Sequence, residues 1–188
     1  MTAIYVLAGI GGVLIAWAIY TYNVLVHLRN KVEEGFSGID VQLKQRHDLV
    51  PNLIETVRGY AQHEQRVLTA ATQARSDAVA ATAPAEVDTA EQKLATGMRA
   101  VIAIAEQYPA LRASSHFGTL MHELTEIEDE IQAARRLYNM NAEFYNSRAQ
   151  QFPAFLIANR MHPRDFAYLR FDLIERDAGA LTAGGFAA

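Results

Sequence analysis

No Asp, Glu, Lys or Arg occurs from Ala3 to Val26. Ile4, Val6, Leu7, Ile10, Val13, Leu14, Ile15, Trp17 and Ile19 fill that stretch with apolar bulk. A helix needs about 20 apolar residues to cross roughly 30 Å of hydrocarbon, and core helices of soluble domains rarely keep such a run. Tyr5, Trp17, Tyr20 and Tyr22 stand towards its ends, where amphipathic rings suit the headgroup region. The stretch predicts one transmembrane helix from Ala3 to Tyr22 (domain 1–22), with membrane lipid as its partner.

Ala16-Trp17-Ala18 has the small-x-small form of a signal-peptide cleavage site, so removal of the segment is the competing expectation. A secretory signal opens on a basic n-region, and only Met1 and Thr2 precede this stretch. An uncleaved anchor is therefore expected. Arg29 and Lys31 follow the span closely, whereas its N-terminal flank has no basic residue. Basic flanks favour the cytoplasmic side, which predicts the N-terminus out and the C-terminal part in the cytoplasm. Within the span, Ala8, Gly12 and Ala16 recur every fourth residue, a spacing that lets two helices approach closely. Gly and Ala are also common in membrane helices generally. Read as a self-association face, the three predict a homo-oligomer.

About 165 of the 188 residues lie beyond the span, enough for one domain with its own core. A net charge of −4 offers no electrostatic footprint for nucleic acid. The absence of cysteine excludes disulfides, thiolate catalysis and Cys-ligated zinc. Abundant Ala with scarce Pro and Gly favours helices. The predicted fold class is all-α: an N-terminal transmembrane helix continuing into an antiparallel up-down bundle of about four long helices.

Leu25, Leu28, Val32, Phe36, Ile39 and Leu43 form one apolar stripe, so the first helix is expected to continue through residues 23–46. Unbroken from Ala3 to Arg46 it would be about 65 Å long at 1.5 Å per residue. Such a stalk is weakest at Gly35 and Gly38, each costing up to about 1 kcal/mol relative to Ala. Pro51 disfavours helix at Val50 and lacks an amide donor. Residues 47–52 therefore predict a tight reversal, with Asp48 accepting from the free amides of the next helix. Leu53, Val57, Tyr60, Glu64, Val67, Ala71, Ala74 and Ala78 follow as a heptad seam, with Glu64 at its rim.

Residues 81–89 read as an exposed linker. Leu94, Met98, Val101, Ala105 and Tyr108 mark a third helix, stopped by Pro109, and Ser114 or Ser115 caps a fourth. Its stripe is Leu120, Leu124, Ile127, Ile131, Ala134, Tyr138, Asn141 and Tyr145. Its outer, solvated face carries Glu126, Glu128, Asp129 and Glu130, then Arg135 and Arg136, an order that suits the helix dipole. The bundle is assigned to 23–151. An aromatic and basic segment, 152–177, follows with Phe152, Phe155, Leu156, Phe166, Tyr168, Leu169 and Phe171 among Arg160, Arg164 and Arg170. Packing back on the bundle end is expected; contact with anionic lipid is the other reading. Residues 178–188 are expected to be a disordered tail.

A di-metal site in a helical bundle uses Glu-x-x-His, because that spacing puts both ligands on one inward face. The chain has neither this motif nor His-Glu-x-x-His. His122 and Glu126 stand four apart and read as a surface pair. No catalytic, cofactor-binding or metal site is assigned, and the chain is not expected to be an enzyme. Asp40, Arg46, His47, Asp48 and Asn52 gather around the expected reversal. They read equally as a recognition surface, pH-responsive through His47, or as caps on free amides.

The run Ile39-Asp40-Val41-Gln42-Leu43-Lys44-Gln45-Arg46-His47-Asp48-Leu49-Val50-Pro51-Asn52-Leu53 resembles the signature of the LemA family. So do Tyr22-Asn23-x-Leu25-Val26-x-x-Arg29-Asn30, Gly59-Tyr60-Ala61-x-His63-Glu64, Ala134-Arg135-Arg136-x-Tyr138-Asn139, Tyr145-Asn146 and Phe152-Pro153. The resemblance covers residues 22–158 and departs at Asn159-Arg160-Met161-His162-Pro163-Arg164, where the family often has a Gly/Phe-rich end. It implies a bacterial single-pass membrane protein with an antiparallel helical bundle and supplies no catalytic residues; one branch of the family is associated with magnetosomes. The expected function is a membrane-anchored scaffold or interaction protein of the bacterial inner membrane. It is expected to self-associate and to bind an unidentified membrane or cytoplasmic protein. The alternative is a transmembrane sensor or regulator of a membrane partner complex.

Overall fold

Good helix formers with few breakers give long helices, and the computed structural model contains no strand among its described residues, 1–161 and 165–170. The elements are α1 (Thr2–Arg58), α2 (Gln65–Ala80), α3 (Pro84–Glu106), α4 (Pro109–Arg112), α5 (Ser115–Gln150) and α6 (Phe155–Ala158). The all-α class with four long helices stands as expected. The chain divides into two units: Met1–Val41 with Ala133–Tyr168, and Gln42–Gln132 with the described residues from Leu169. α1 and α5 each contribute a segment to both.

In the first unit, Ile4, Leu7, Ile10, Val13, Leu14, Ile15 and Ile19 all stand exposed, so the start of α1 builds no core. By length and composition α1 can cross a membrane. It continues without a break past Tyr22, and Leu25, Val32 and Ile39 of its stripe become buried. On α5, Tyr138, Ala142 and Tyr145 are buried. Gly35 is the point of closest approach: a Cβ there would lie 3.3 Å from the Tyr138 Cα. Asn141, further along α5, donates to the carbonyl of Lys31, earlier in α1, at 3.1 Å, so the two helices run antiparallel.

The chain then returns along α5. Asn146 donates from Nδ2 to the Phe166 carbonyl and accepts the Phe166 amide at Oδ1, both at 2.8 Å. The Tyr138 hydroxyl donates to the Ala167 carbonyl at 2.9 Å, and the Phe166 ring meets Tyr145 edge-on with centroids 5.0 Å apart. Phe152 and Leu156 stand exposed. Arg164, Phe171 and the tail at 178–188 lie outside the described residues.

The second unit is a helical core. α1 supplies Val50, Leu53, Ile54 and Val57; α2 supplies Leu68 and Ala71; α3 supplies Leu94, Met98 and Val101; α4 supplies Leu111; α5 supplies Phe117, Leu120 and Leu124. The reversal expected at residues 47–52 does not occur. Pro51 lies inside α1, which ends at Arg58. The turn comes at residues 59–64, so the expected seam from Leu53 to Ala78 belongs to two helices, with Tyr60 and an exposed Glu64 between them.

α2 and α3 form an antiparallel hairpin of close approach, for a Cβ on Gly97 would lie 3.2 Å from the Ala71 Cα. The expected linker at 81–89 shrinks to residues 81–83. Pro84 pre-sets the first turn of α3, Glu86 accepts the Ala83 amide at 3.4 Å, and Val87 is already buried. α3 ends at Glu106, and Pro109 opens α4 instead of stopping α3.

Candidate functional site

A helix interior containing proline loses one hydrogen bond, because residue 51 has no N–H to offer the carbonyl of residue 47. Arg75 of α2 supplies the missing donor: its Nε lies 2.6 Å from the His47 carbonyl oxygen. The carbonyl is thus paired where α1 runs through Pro51. The contact also brings α2 against the part of α1 that carries Arg46 and His47.

Arg46 is the largest fully buried side chain of the described residues, with 0% exposure. Burial lowers its pKa and the neighbouring Glu128 raises it again, burial being the larger cause. An isolated buried charge is prohibitive, so Arg46 needs carboxylate partners. It has two. Its Nη1 lies 3.3 Å from Oε2 of Glu128 on α5, and its Nη2 pairs with Oε2 of Glu91 on α3. The other oxygen of Glu91 is 2.7 Å from His47 Nε2. An ionised carboxylate only accepts, so Nε2 of His47 carries the proton. Nε of Arg46 and Oε1 of Gln42, one turn apart, are buried without a hydrogen-bond partner among the described residues.

The cluster therefore joins α1, α3 and α5, and Arg75 adds α2. Both carboxylates are engaged by Arg46, which makes the arrangement an internal clamp. Such a network adds little net stability over an apolar core but favours one helix register.

The five residues expected around the reversal separate. Arg46 and His47 go to the interior, whereas Asp48 and Asn52 are exposed in the second unit and Asp40 is exposed in the first. None caps a helix end there, since α1 does not end there. Asp48 lines a surface groove with Glu123, Glu126 and Glu130 over Leu49 and Ile127. Glu128, expected on the solvated face, is buried, because it stands four residues after Leu124 and three before Ile131 and so shares their face. His122 Nε2 lies 3.5 Å from Glu126 Oε1 on the surface.

Glu91, Glu128 and Arg75 escaped sequence reasoning. A signal was present for the two acids. Glu91 stands three residues before Leu94, and both acids fall in register with apolar stripes, where a charge needs a partner. Arg75 left no comparable mark. In the span, Ala8, Gly12 and Ala16 lie exposed at helical spacing on α1.

A family model described as the LemA family matches residues 35–179. That range contains every residue of the ion cluster and excludes the apolar start of α1. The chain is 28% identical over 158 residues to Protein LemA of Metamycoplasma hominis, covering 82% of this chain and 71% of that protein. It is 22% identical over 165 residues to Magnetosome protein MamQ 2 of Paramagnetospirillum magneticum, covering 74% of this chain and 61% of that one. Magnetosome protein MamQ of Magnetospirillum gryphiswaldense is 22% identical over 158 residues, 70% of this chain and 58% of its own length. The aligned region thus spans less than two thirds of the MamQ relatives.

Proposed function

The chain belongs to the LemA family, and from that premise we propose that it is a membrane-anchored helical scaffold of the bacterial inner membrane, self-associating and without catalysis of its own. One observation carries the reading. The apolar start of α1 has none of its most hydrophobic window buried, and Ile4, Leu7, Ile10, Val13, Leu14, Ile15 and Ile19 stand exposed around it. A helix bare on every side is stable in lipid and not in water. The buried clamp supports a scaffold over an enzyme, since its carboxylates are held by Arg46 away from solvent.

Ala8, Gly12 and Ala16 form the self-association face, and Gly12 has no neighbour within 4 Å to block a second helix. Copies confined to one membrane meet at high effective concentration, so weak contacts suffice. The N-terminus faces out and the domain beyond the span faces the cytoplasm. Partners are lipid, further copies and an unidentified membrane or cytoplasmic protein.

The test uses the full chain in bacterial membranes. Alkaline carbonate should leave it in the pellet; release into the supernatant removes the anchor. The chain has no cysteine, so single variants Ala8→Cys, Gly12→Cys and Ile10→Cys report on packing. Oxidation should cross-link the first two and spare the third. Equal yields, or none, remove the self-association face. Efficient capture of one different protein without self-capture favours a regulator instead.

A further inference from the structure

We infer that the turn following α5 is a second membrane contact, with Phe152, Phe155 and Leu156 entering the headgroup boundary of the bilayer that α1 crosses. The inference rests on the anchored reading of α1. It begins with register. Gly35 faces Tyr138 and Lys31 faces Asn141 across antiparallel helices. Both helices rise about 1.5 Å per residue, so the end of α5 at Gln150 comes level with about residue 22 or 23 of α1. There the span ends, at Tyr20 and Tyr22. A groove lined by Tyr22 and Val26 together with Arg160 and Met161 places the chain after α6 at the same level.

Exposure is the second observation. Phe152 is 80% exposed, Leu156 52% and Phe155 36%, while Ala154 and Ala158 of the same turns are buried. The turn thus puts Ala154 and Ala158 inward and Phe152, Phe155 and Leu156 outward. The two phenyl rings sit together, with centroids 6.2 Å apart. Such a cluster is costly in water and favoured where aromatic rings meet headgroups. Exposed Arg148 and Arg160 flank it, and their stems can follow the apolar surface while the charges stay with lipid phosphates. The occupant is the chain's own bilayer, because the register sets the patch level with the end of the span.

Four single variants of the full chain test this: Phe152→Cys, Leu156→Cys, Ser37→Cys and Leu14→Cys. Each carries an environment-sensitive fluorophore in vesicles of phosphatidylcholine and phosphatidylglycerol. The labels at 152 and 156 should be blue-shifted, shielded from iodide and quenched by a spin label near the headgroup. The label at 14 should answer to a deep spin label, and the label at exposed Ser37 should stay open to iodide. Labels at 152 and 156 open to iodide, with 14 quenched by lipid, overturn the inference and spare the anchor. Label 14 open to iodide removes both. Labels at 152 and 156 shielded from iodide but untouched by lipid quenchers also overturn it, because protein then covers the patch.

Discussion

Arg75 donates to the main-chain oxygen of His47, the acceptor that Pro51 cannot serve. A side chain 28 residues away therefore completes a helical hydrogen bond. The contact offsets the hydrogen bond that a proline inside a helix removes.

Arg75→Met removes the donor to that part-buried carbonyl, and should cost about 1–3 kcal/mol of stability. Pro51→Ala returns an amide donor to the same acceptor, so the double variant should lose less than the sum of the two single effects. Chemical denaturation of all four proteins measures this coupling. Simple additivity would show that the contact is not a repair.

Glu91→Ala removes one arm of the clamp and leaves buried Arg46 with Glu128 alone. A broken buried pair costs about 3–5 kcal/mol. Glu126→Ala, on the exposed face, should change stability by no more than about 0.5 kcal/mol. Replacing Arg46, Glu91 and Glu128 together by apolar residues should recover most of the loss. Thermal melts rank the three; a large loss in the apolar triple would show that the ion pairs stabilise beyond fixing register.

Burial pushes the Tyr138 phenol up, and Tyr145 is raised by burial, with Arg29 lowering it and Asp165 raising it. The folded chain thus holds these protons to higher pH than the unfolded one. Their stabilisation is complete below the unfolded value of about 10 and is lost as pH rises through the higher folded values. Tyr138→Phe should lose about 0.5–1.5 kcal/mol at neutral pH with its bond to Ala167, and should show a shallower alkaline decline. Melts from pH 8 to 11 compare the two slopes.

Gly35 and Gly38 look alike in sequence and should behave oppositely. A Cβ on Gly38 meets nothing within 4 Å, whereas one on Gly35 meets the backbone of Tyr138. Gly38→Ala should stabilise by up to about 1 kcal/mol through helix propensity. Gly35→Val should destabilise by about 1–3 kcal/mol through overpacking. Melting temperatures moving in the same direction would refute the close approach of α5.

The stripes of α1 and α5 were legible because apolar residues repeat at the helical period, and the buried set Leu25, Val32, Ile39, Leu120, Leu124, Tyr138 and Tyr145 follows them. The path of the chain around Pro51 was not. Proline's local preference is real, but the Arg75 contact that overrides it belongs to another helix. Glu128 departs from its expected place for a related reason: its acidic neighbours suggest a solvated face, while its angular position places it inside.

The sequence alone determined the all-helical class and the apolar start of α1, because hydropathy and period act through near neighbours, and its motifs carried the family resemblance. Only the tertiary structure decided where α1 ends and that Arg46, His47, Glu91 and Glu128 share one interior. Buried charges and unpaired carbonyls take their partners from whatever helix comes within hydrogen-bond reach, and that reach is set by packing.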